Sequence, residues 1–335
     1  MAVLVTGGAG FIGSHTVLEL LANNKEVVVI DNFSNSKKKV LDSLREISGK
    51  DFKFYKGDVR DKKILRKIFK ENLIEVVINF AGYKAVGESC IKPLMYYNNN
   101  IEIAISLLEV MQEFECKKFI FSSTAVVYGE PKILPLTESS DVGKTTNPYA
   151  TTKLIIERIL QDLYKSDNSF GICILRYFNP IGAHESGLIG EEPNGIPNNL
   201  MPYIMQIASG KREVLSVFGN DYDTHDGTGV RDYIHVVDLA KAHVKALDKL
   251  NREKHGVFIY NIGTGRGYSV LDVITNFEKV NNIKIPYKIV ARRVGDVASL
   301  YSNPDKAKRE LGWVAEKGIE DMCRDSWNFE KNLKN

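Results

Sequence analysis

Residues 3–14 read Val3-Leu-Val-Thr-Gly-Gly-Ala-Gly-Phe-Ile-Gly-Ser14, a short apolar run followed by a glycine-rich loop. Gly8, Gly10 and Gly13 have the spacing G-x-G-x-x-G, and Gly7, Gly10 and Gly13 have the spacing G-x-x-G-x-x-G. Such glycines permit a tight turn, a close approach of backbone to pyrophosphate, and close packing of helix on strand. The stretch therefore predicts a strand–loop–helix unit that binds a dinucleotide at the N-terminus of its helix.

The acid expected at the end of the second strand is Asp31, about twenty residues after the loop. A carboxylate there accepts hydrogen bonds from the adenosine ribose and repels a 2′-phosphate, so the sequence favours NAD over NADP. Lys37, Lys38 and Lys39 follow, and cations at this place could hold a 2′-phosphate. We interpret this lysine run as a solvated loop or the start of a helix.

Short apolar segments alternate with helical patterns through the first half of the chain. This alternation is typical of an α/β fold with a doubly wound parallel sheet of the Rossmann type. The predicted strands are 2–5, 27–30, 52–55, 76–80, 118–122 and 172–177.

The composition changes after Phe178, and residues 179–230 are rich in Gly, Pro, Asn and Asp. We predict a smaller, mixed α/β substrate-binding lobe that faces the strand ends, where ligands bind in open α/β sheets. The NAD-binding domain is then 1–179, to which segments near 231–262 partly return, and the substrate-binding lobe is 180–335. The elements predicted in this half are helices 199–208, 269–280 and 318–329 and a strand 257–262.

Composition limits the possible partners and compartments. The 335 residues carry a net charge of +3, which is too small to indicate a nucleic acid or an anionic membrane as partner. The four cysteines, at 90, 116, 173 and 323, fit neither a zinc site nor a disulfide framework. We predict no metal and a cytoplasmic location, since no signal peptide or membrane-spanning run is apparent.

Residues 147–157, NPYATTKLIIE, predict a helix capped by Asn147 with proline at its first position. Tyr149 and Lys153 are four residues apart and therefore share one helix face. Taken alone, this pair also fits a solvated helix surface. Thr124 ends the fifth predicted strand, however, and the sheet edge should bring its hydroxyl close to this helix.

Thr124, Tyr149 and Lys153 resemble the Ser/Thr–Tyr–Lys site of the extended short-chain dehydrogenase/reductase family. The resemblance runs from residue 2 to about 313 and includes TGGAGFIG at 6–13, LRYFNP at 175–180 and RDYIHV at 231–236. Within that family, the UDP-glucose (UDP-galactose) 4-epimerases are similar at KAVGES (84–89), GIPNNLMP (195–202) and FGND (218–221).

The resemblance implies NAD-dependent interconversion of UDP-galactose and UDP-glucose, through oxidation at C4 and reduction on the opposite face of the sugar. It implies that Tyr149 exchanges the proton of the 4-hydroxyl and that Thr124 holds the sugar oxygen. Lys153 and the positive nicotinamide ring would lower the pKa of the phenol, and Lys153 would also anchor the nicotinamide ribose. Many relatives have Ser where this chain has Thr124, which keeps the hydroxyl but restricts its rotamer.

Further positions follow from the same resemblance. The implied cofactor-binding residues are Gly7, Gly10, Phe11, Ile12, Gly13, Asp31, Asn32, Asn35, Ser36, Asp58, Val59, Phe80, Ala81, Gly82, Lys84, Asn99, Ser122, Tyr149, Lys153, Tyr177 and Phe178. The implied substrate-binding residues are Lys84, Thr124, Tyr149, Tyr177, Asn179, Asn199, Leu200, Ser216, Phe218, Arg231, Tyr233, Arg293, Asp296 and Leu300. Arg231 and Arg293 would hold the diphosphate, because a guanidinium fork matches phosphate oxygens.

Two other functions share this fold. A sugar-nucleotide 4,6-dehydratase needs an acid/base pair, typically Asp-Glu directly after the Thr, where this chain has Ala125 and Val126. A non-catalytic NAD-sensing protein has no need for Thr124, Tyr149 and Lys153 together. Both observations favour the epimerase.

Two finer expectations complete the sequence-based prediction. The helix around 93–114 carries an apolar stripe (Leu94, Ile101, Ile105, Leu108 and Met111) and, with the helix after Tyr149, predicts a homodimer. Leu300 falls where some epimerases have Tyr and others a small residue. Because Leu is smaller than Tyr, we expect UDP-N-acetylglucosamine and UDP-N-acetylgalactosamine to be interconverted as well.

Overall fold

Seven parallel strands form the central sheet of this computed structural model, which describes residues 2–195, 197, 199–293 and 295–333. Their order is β10-β6-β5-β4-β1-β2-β3, with β1 at the point where the strand order reverses. The seven strands are β1 Ala2–Thr6, β2 Glu26–Asp31, β3 Lys53–Lys56, β4 Ile74–Asn79, β5 Lys118–Thr124, β6 Gly171–Tyr177 and β10 Gly256–Ile262. The predicted doubly wound α/β fold is confirmed.

Helices cover both faces of this sheet. Helices α1, α2 and α8 pack on one face, and α3, α5 and α6 pack on the other. The helices of this half are α1 Phe11–Ala22, α2 Lys39–Ser48, α3 Lys62–Glu71, α4 Val86–Ile91, α5 Pro93–Glu113, α6 Pro148–Ser166 and α8 Val236–Glu253. The strands are apolar on both faces because both are buried, which is why they read as continuous apolar runs.

The second lobe has its own core and its own small sheets. Strands β7 and β13 run parallel to β9, β11 runs antiparallel to it, and β8 pairs with β12. The remaining strands are β7 Asn179–Ile181, β8 Leu215–Phe218, β9 Val230–His235, β11 Gly267–Ser269, β12 Tyr287–Val290 and β13 Ser299–Leu300. The remaining helices are α7 Leu200–Ala208, α9 Val270–Asn281, α10 Asp305–Leu311 and α11 Ile319–Asn332, with a short 3₁₀ helix at Ala125–Tyr128.

The predicted elements are all present, with ends that differ by at most three residues. The caps explain why the helices start where they do. Asn147 accepts a hydrogen bond from the amide of Ala150, and Ser269 forms a capping box with Asp272. The chain returns to the first half through α8 and the edge strand β10. Among the described helices, none combines the length and apolar character that a membrane crossing requires. Ile196 and Asn198, which belong to the GIPNNLMP stretch, and Val294 lie outside the described residues.

Candidate active site

The glycine loop joins β1 to α1 in the way that its spacing predicts. Gly7 has φ +66°, and a Cβ on Gly13 would lie 2.3 Å from the carbonyl oxygen of Gly7, so a side chain is excluded there. The cap of α1 is Gly10, which has no side chain to bond the first amides of the helix. The amides around Phe11 and Ile12 therefore remain available to a phosphate group.

Asp31 ties the glycine loop to the loop after β2. It is 6% exposed and accepts hydrogen bonds from the amides of Ala9 (3.0 Å) and Phe33 (2.8 Å) and from the hydroxyl of Ser36 (2.8 Å). These contacts fix the carboxylate at the sheet edge where a ribose is expected. Asn35, in the same loop, lies within 3.5 Å of the amide of Asn194 in the second lobe.

Asp58, one of the predicted cofactor-binding residues, is already hydrogen-bonded to neighbouring side chains. Arg60 donates to both of its carboxylate oxygens, at 3.0 and 2.7 Å, and Asn32 donates at 3.4 Å. The hydrogen bond from Arg60 is the main cause that lowers the pKa of Asp58. Val59, the next residue, is buried in the core. This leaves the backbone around Asp58 and Val59 as the part that could face a base.

Two of the three lysines in the run 37–39 are ion-paired, whereas the sequence predicted a solvated loop or the start of a helix. Helix α2 does begin at Lys39, but the ammonium groups of Lys37 and Lys39 both pair with Glu192 of the second lobe. The Lys39 pair is 3.0 Å long. A contact between residues so far apart in sequence has no local pattern, so sequence reasoning missed Glu192.

Thr124, Tyr149 and Lys153 meet at the carboxyl end of β5. Each is less than a tenth exposed, at 8, 8 and 6%. The hydroxyl of Thr124 lies near enough to the phenol of Tyr149 to lower its pKa, and the Lys153 ammonium donates to the carbonyl of Ser122 at 2.8 Å. The same ammonium lies 6.0 Å from the centre of the Tyr149 ring. The structure thus brings the predicted catalytic residues together on two rigid elements.

Burial shifts the pKa of both members of this pair toward the uncharged form. Burial raises the pKa of Tyr149, the nearby Tyr177 phenol adds to the rise, and the Thr124 hydroxyl opposes it. Burial also lowers the pKa of Lys153 to about 8, although the carboxylate of Glu157 opposes this. The protein's own groups therefore favour the neutral phenol. The cost of burying a phenolate away from water is larger than the stabilisation that one distant ammonium gives it.

Beneath this site lies a buried polar network that the sequence did not reveal. The Arg176 guanidinium forms an ion pair with the Glu157 carboxylate (2.6 Å), and the two side chains are 4 and 0% exposed. Glu157 also accepts a hydrogen bond from Ser123, and Arg176 donates to Tyr128 (3.1 Å). The network fastens α6 to β5 and β6, and so fixes the distance between Lys153 and the strand that carries Thr124.

The nicotinamide end of the predicted cofactor site is lined by residues at the carboxyl ends of β4, β5 and β6. Ser122 and Tyr177 share a hydrogen bond, and Phe80 packs its ring 4.7 Å from that of His243. Phe178 is buried behind Tyr177. The main chain around Ala81 and Gly82 passes close to the glycine loop, since the Ala81 amide donates to Thr6 at 3.3 Å.

An asparagine pair holds the loop that follows. Asn100 accepts from the amide of Tyr83 (2.8 Å) and donates to Thr152 on α6 (3.0 Å), and Asn99 donates to Asn100 (3.1 Å). Asn99, one of the predicted cofactor residues, is 7% exposed, and its amide is engaged by Asn100.

Lys84 and Asn199, predicted from separate motifs, are joined by Glu191. Its Oε1 accepts hydrogen bonds from the Lys84 ammonium (2.7 Å) and the Asn199 amide (2.8 Å). The other oxygen, Oε2, is buried and has no hydrogen-bond partner. Glu191 was also missed; the only signal was two adjacent acids just before the GIPNNLMP motif. Asn179, another predicted sugar contact, is exposed at the start of β7.

The substrate residues of the second lobe form a cluster of their own. The Arg293 guanidinium pairs with the Asp296 carboxylate (2.9 Å) and lies 5.7 Å from the ring of Phe218, while Arg231 lies 3.8 Å from Asp296. Phe218 is 43% exposed, as a ring must be to stack on a base. Burial raises the pKa of the neighbouring Tyr233 to about 12. Ser216 lies on β8, and Leu200 begins α7.

Leu300 is a packed residue next to the catalytic elements. It is 4% exposed on β13, whose partner at this point is Arg231. Its side chain belongs to the apolar cluster that contains Ala125, Leu154 and Phe178. Those residues directly follow Thr124, Lys153 and Tyr177 in sequence, so Leu300 lies one layer from the proposed chemistry.

His225, Asp226 and Asp272 are close enough together to hold a metal ion, in the part of the chain that the structure describes. The carboxylate oxygens of Asp226 and Asp272 already have hydrogen-bond partners. Asp226 accepts from Thr228 (2.8 Å) and Ser269, and Asp272 closes the cap of α9. The group reads as a helix-capping arrangement.

Comparison with known proteins identifies the family. A family model described as GDP-mannose 4,6 dehydratase matches residues 4–326. The UDP-glucose 4-epimerase of Haemophilus influenzae is 60% identical to this chain over 332 residues, covering 99% of the chain and 98% of that protein. The chain belongs to the UDP-glucose 4-epimerase family. Epimerases and dehydratases share the fold that the wider model describes.

Solved epimerase structures agree closely with this fold. The UDP-glucose 4-epimerase from Bifidobacterium longum, in complex with NAD⁺ and UDP, superposes with a TM-score of 0.97 at 54% identity and covers 100% of this chain and 99% of its own. The UDP-Glc/GlcNAc 4-epimerase of Campylobacter jejuni gives a TM-score of 0.85 at 36% identity, with 99% of each chain covered. The resemblance predicted from the sequence is confirmed.

The dehydratase in the family model's description does not extend to this active site. Ala125 and Val126 follow Thr124 as the start of the 3₁₀ helix. Neither side chain carries an exchangeable proton. The epimerase family is therefore the one whose chemistry these residues suit.

Proposed function

We propose that this protein interconverts UDP-galactose and UDP-glucose with NAD as its cofactor. The observation that carries the proposal is the buried group of Thr124, Tyr149 and Lys153, which lies at the same carboxyl edge of the parallel sheet as the uncapped N-terminus of α1. When bound, NAD supplies a hydride acceptor that can return the hydride, so no net oxidation of the sugar is required.

In the proposed reaction, Tyr149 accepts the proton of the sugar 4-hydroxyl and later returns it. The hydroxyl of Thr124 lies near the phenol of Tyr149, so it is suited to orient both the phenol and the sugar oxygen. The protein's own groups keep the phenol neutral, and we infer that the positive charge of an oxidised nicotinamide makes the phenolate accessible. The base is then active only beside the oxidised cofactor.

The second lobe is proposed to bind the nucleotide. Arg231 and Arg293 are suited to the diphosphate and Phe218 to the face of uracil. The two arginines, which now pair with Asp296, would exchange its carboxylate for phosphate oxygens, and Asp296 would then accept a hydrogen bond from a ribose hydroxyl. This assigns UDP-sugar binding to the lobe within residues 180–335, and NAD binding to residues 1–179 with the returning segments near 231–262.

The test is to incubate the purified protein with UDP-galactose alone and to assay UDP-glucose by chromatography. We expect conversion without added NAD, because the cofactor is regenerated in each cycle. A 4,6-dehydratase would instead yield a 4-keto-6-deoxy sugar, and a non-catalytic NAD sensor would leave UDP-galactose unchanged. Either result would contradict the proposal.

We also propose a homodimer built on α5 and α6. Leu108 and Met111 of the predicted stripe are core residues, whereas Leu94 is 81% and Ile105 40% exposed. Ile91, on the adjoining α4, is 78% exposed and extends the same apolar surface. Light scattering should give twice the chain mass at micromolar concentration, and Leu94→Glu should give a monomer. A monomeric wild type would refute the dimer.

A cytosolic location is proposed on the cysteines. All four are free thiols, and Cys116, Cys173 and Cys323 are buried. Chains that fold in oxidising compartments usually pair such residues. Fractionation of the native cell, with the protein recovered in the cytosolic fraction, is the expected result.

A further inference from the structure

The inference concerns Glu192 and rests on the proposed use of NAD. Glu192 lies in the second lobe, yet its carboxylate pairs with Lys37 and Lys39, the latter at 3.0 Å. These two ammonium groups belong to the loop and helix start that follow Asp31, the residue expected at the adenosine ribose. They are therefore the cations that would bind the 2′-phosphate of NADP.

The position of Glu192 is fixed from both sides. Before it, Glu191 is held by the Lys84 ammonium at 2.7 Å and the Asn199 amide at 2.8 Å. After it, the side chain of Asn194 reaches the carbonyl of Ser34 at 3.4 Å. Residues 191–194 thus run from the residues proposed to contact the sugar to the loop proposed to contact the adenosine ribose. Glu192 is held between these two ends, in contact with Lys37 and Lys39.

The charges at this point have a clear balance. Lys37 and Lys39 are 40 and 54% exposed, whereas Glu192 is 25% exposed and lies between them. Burial works to raise the pKa of Glu192, but the hydrogen bonds from Lys37 and Lys39 outweigh it and leave the pKa below its ordinary value. The carboxylate is ionised at neutral pH and neutralises part of the lysine charge.

We propose that Glu192 is a second residue that selects NAD against NADP, and that it acts from the opposite lobe by occupying Lys37 and Lys39. Asp31 repels the 2′-phosphate directly, while Glu192 removes the cations that would attract it and adds a negative charge beside them. The lysines can then stay in the loop, where they hold the two lobes together, without turning the site toward NADP.

The experiment measures binding of NAD and of NADP to nucleotide-free, full-length protein by titration calorimetry. In Glu192→Gln we expect the ratio of the two dissociation constants to move toward NADP by about tenfold, because one charge a few ångströms away in a half-exposed site has an effect of this order. The effect should come mainly from tighter NADP binding. Glu213→Gln, which alters an exposed acid of the same lobe, is the matched control and should leave the ratio unchanged.

A second set of variants separates discrimination from a merely structural role. In a Lys37→Gln/Lys39→Gln background, Glu192→Gln should change the ratio less than twofold, since its targets are gone. If Glu192→Gln weakens both dinucleotides equally, or acts equally with and without the lysines, the inference is overturned while NAD binding stands. If the wild type binds neither dinucleotide, the proposed function fails and this inference fails with it.

Discussion

The residues proposed for chemistry and those proposed for nucleotide binding are held in different ways. Thr124, Tyr149 and Lys153 are each less than a tenth exposed and sit on a strand and a helix that a buried ion pair joins. Arg293 and Phe218 in the second lobe are nearly half exposed, and Arg293 is paired with Asp296. The first set is already arranged for proton transfer, and the second must exchange partners when a ligand arrives.

This difference has a physical reason. A proton transfer tolerates errors of only a few tenths of an ångström, so its groups must be rigid before substrate binds. Diphosphate recognition relies on long-range charge, and arginines that begin in a protein ion pair can turn to phosphate oxygens without being left unpaired. Changes in the buried set should therefore alter kcat, and changes in the second lobe should alter KM or substrate choice.

The largest effect is expected from Tyr149→Phe. The ring keeps its packing, so the fold and the bound NAD should be retained, but the proton acceptor is lost. We expect kcat to fall by about 10²–10⁴-fold, as is typical for an acid–base residue. Tyr164→Phe, on the same helix, is the control and should remain active. A Tyr149→Phe enzyme within threefold of the wild type would exclude Tyr149 as the base.

Leu300→Tyr tests the second lobe as the source of substrate choice. Leu300 packs among Ala125, Leu154 and Phe178, one layer from the catalytic residues. We expect the wild type to interconvert the N-acetylated pair less readily than the unsubstituted pair, and a Tyr to remove that activity while sparing UDP-galactose. Discrimination by pocket size is usually about 1–3 kcal/mol, or 10–200-fold.

Both UDP-sugar pairs should be assayed on wild type and variant. If the wild-type enzyme shows no N-acetyl conversion at high concentration, the size of residue 300 does not decide whether an N-acetyl group fits in the sugar pocket.

Arg231→Lys should affect binding alone. Lysine keeps the charge but loses the fork that can bridge phosphate oxygens, so KM for UDP-galactose should rise about tenfold with kcat within twofold. Arg212→Lys, also in the second lobe, serves as the control. A fall in kcat equal to the rise in KM would show that this arginine acts in the transition state, and the contrast between the two regions would fail.

The smallest effect is the dependence of kcat on pH. The pKa of Lys153 is lowered to about 8 by burial, so its ammonium loses its proton as pH rises through that value. Since that charge favours the phenolate, kcat should fall on the alkaline side, to about half near pH 8. In Lys153→Arg the charge persists, and this alkaline decline should move to higher pH even though activity is lower overall. If the wild type and Lys153→Arg have the same dependence of kcat on pH, the alkaline decline is not caused by the titration of Lys153.

Local patterns determined most of the fold in advance. The glycine spacing of residues 7–13, the alternation of strands and helices, and the cap at Asn147 each depend on a few neighbouring residues. Such signals survive without knowledge of distant contacts. The sequence alone therefore determined the parallel sheet, the loop that would hold a dinucleotide, and, through resemblance, the family.

Only the tertiary structure decided which distant groups meet. Glu192 pairs with Lys37, which is 155 residues away in sequence, and Glu191 pairs with Lys84, which is 107 residues away. Arg176 and Glu157 form an ion pair inside the core. The structure also showed that the protein's own groups keep the pKa of Tyr149 raised, because the phenol is buried and the Lys153 ammonium is 6.0 Å from the ring. Charge pairing and desolvation depend on distances that the folded chain creates, and no spacing along the sequence encodes them.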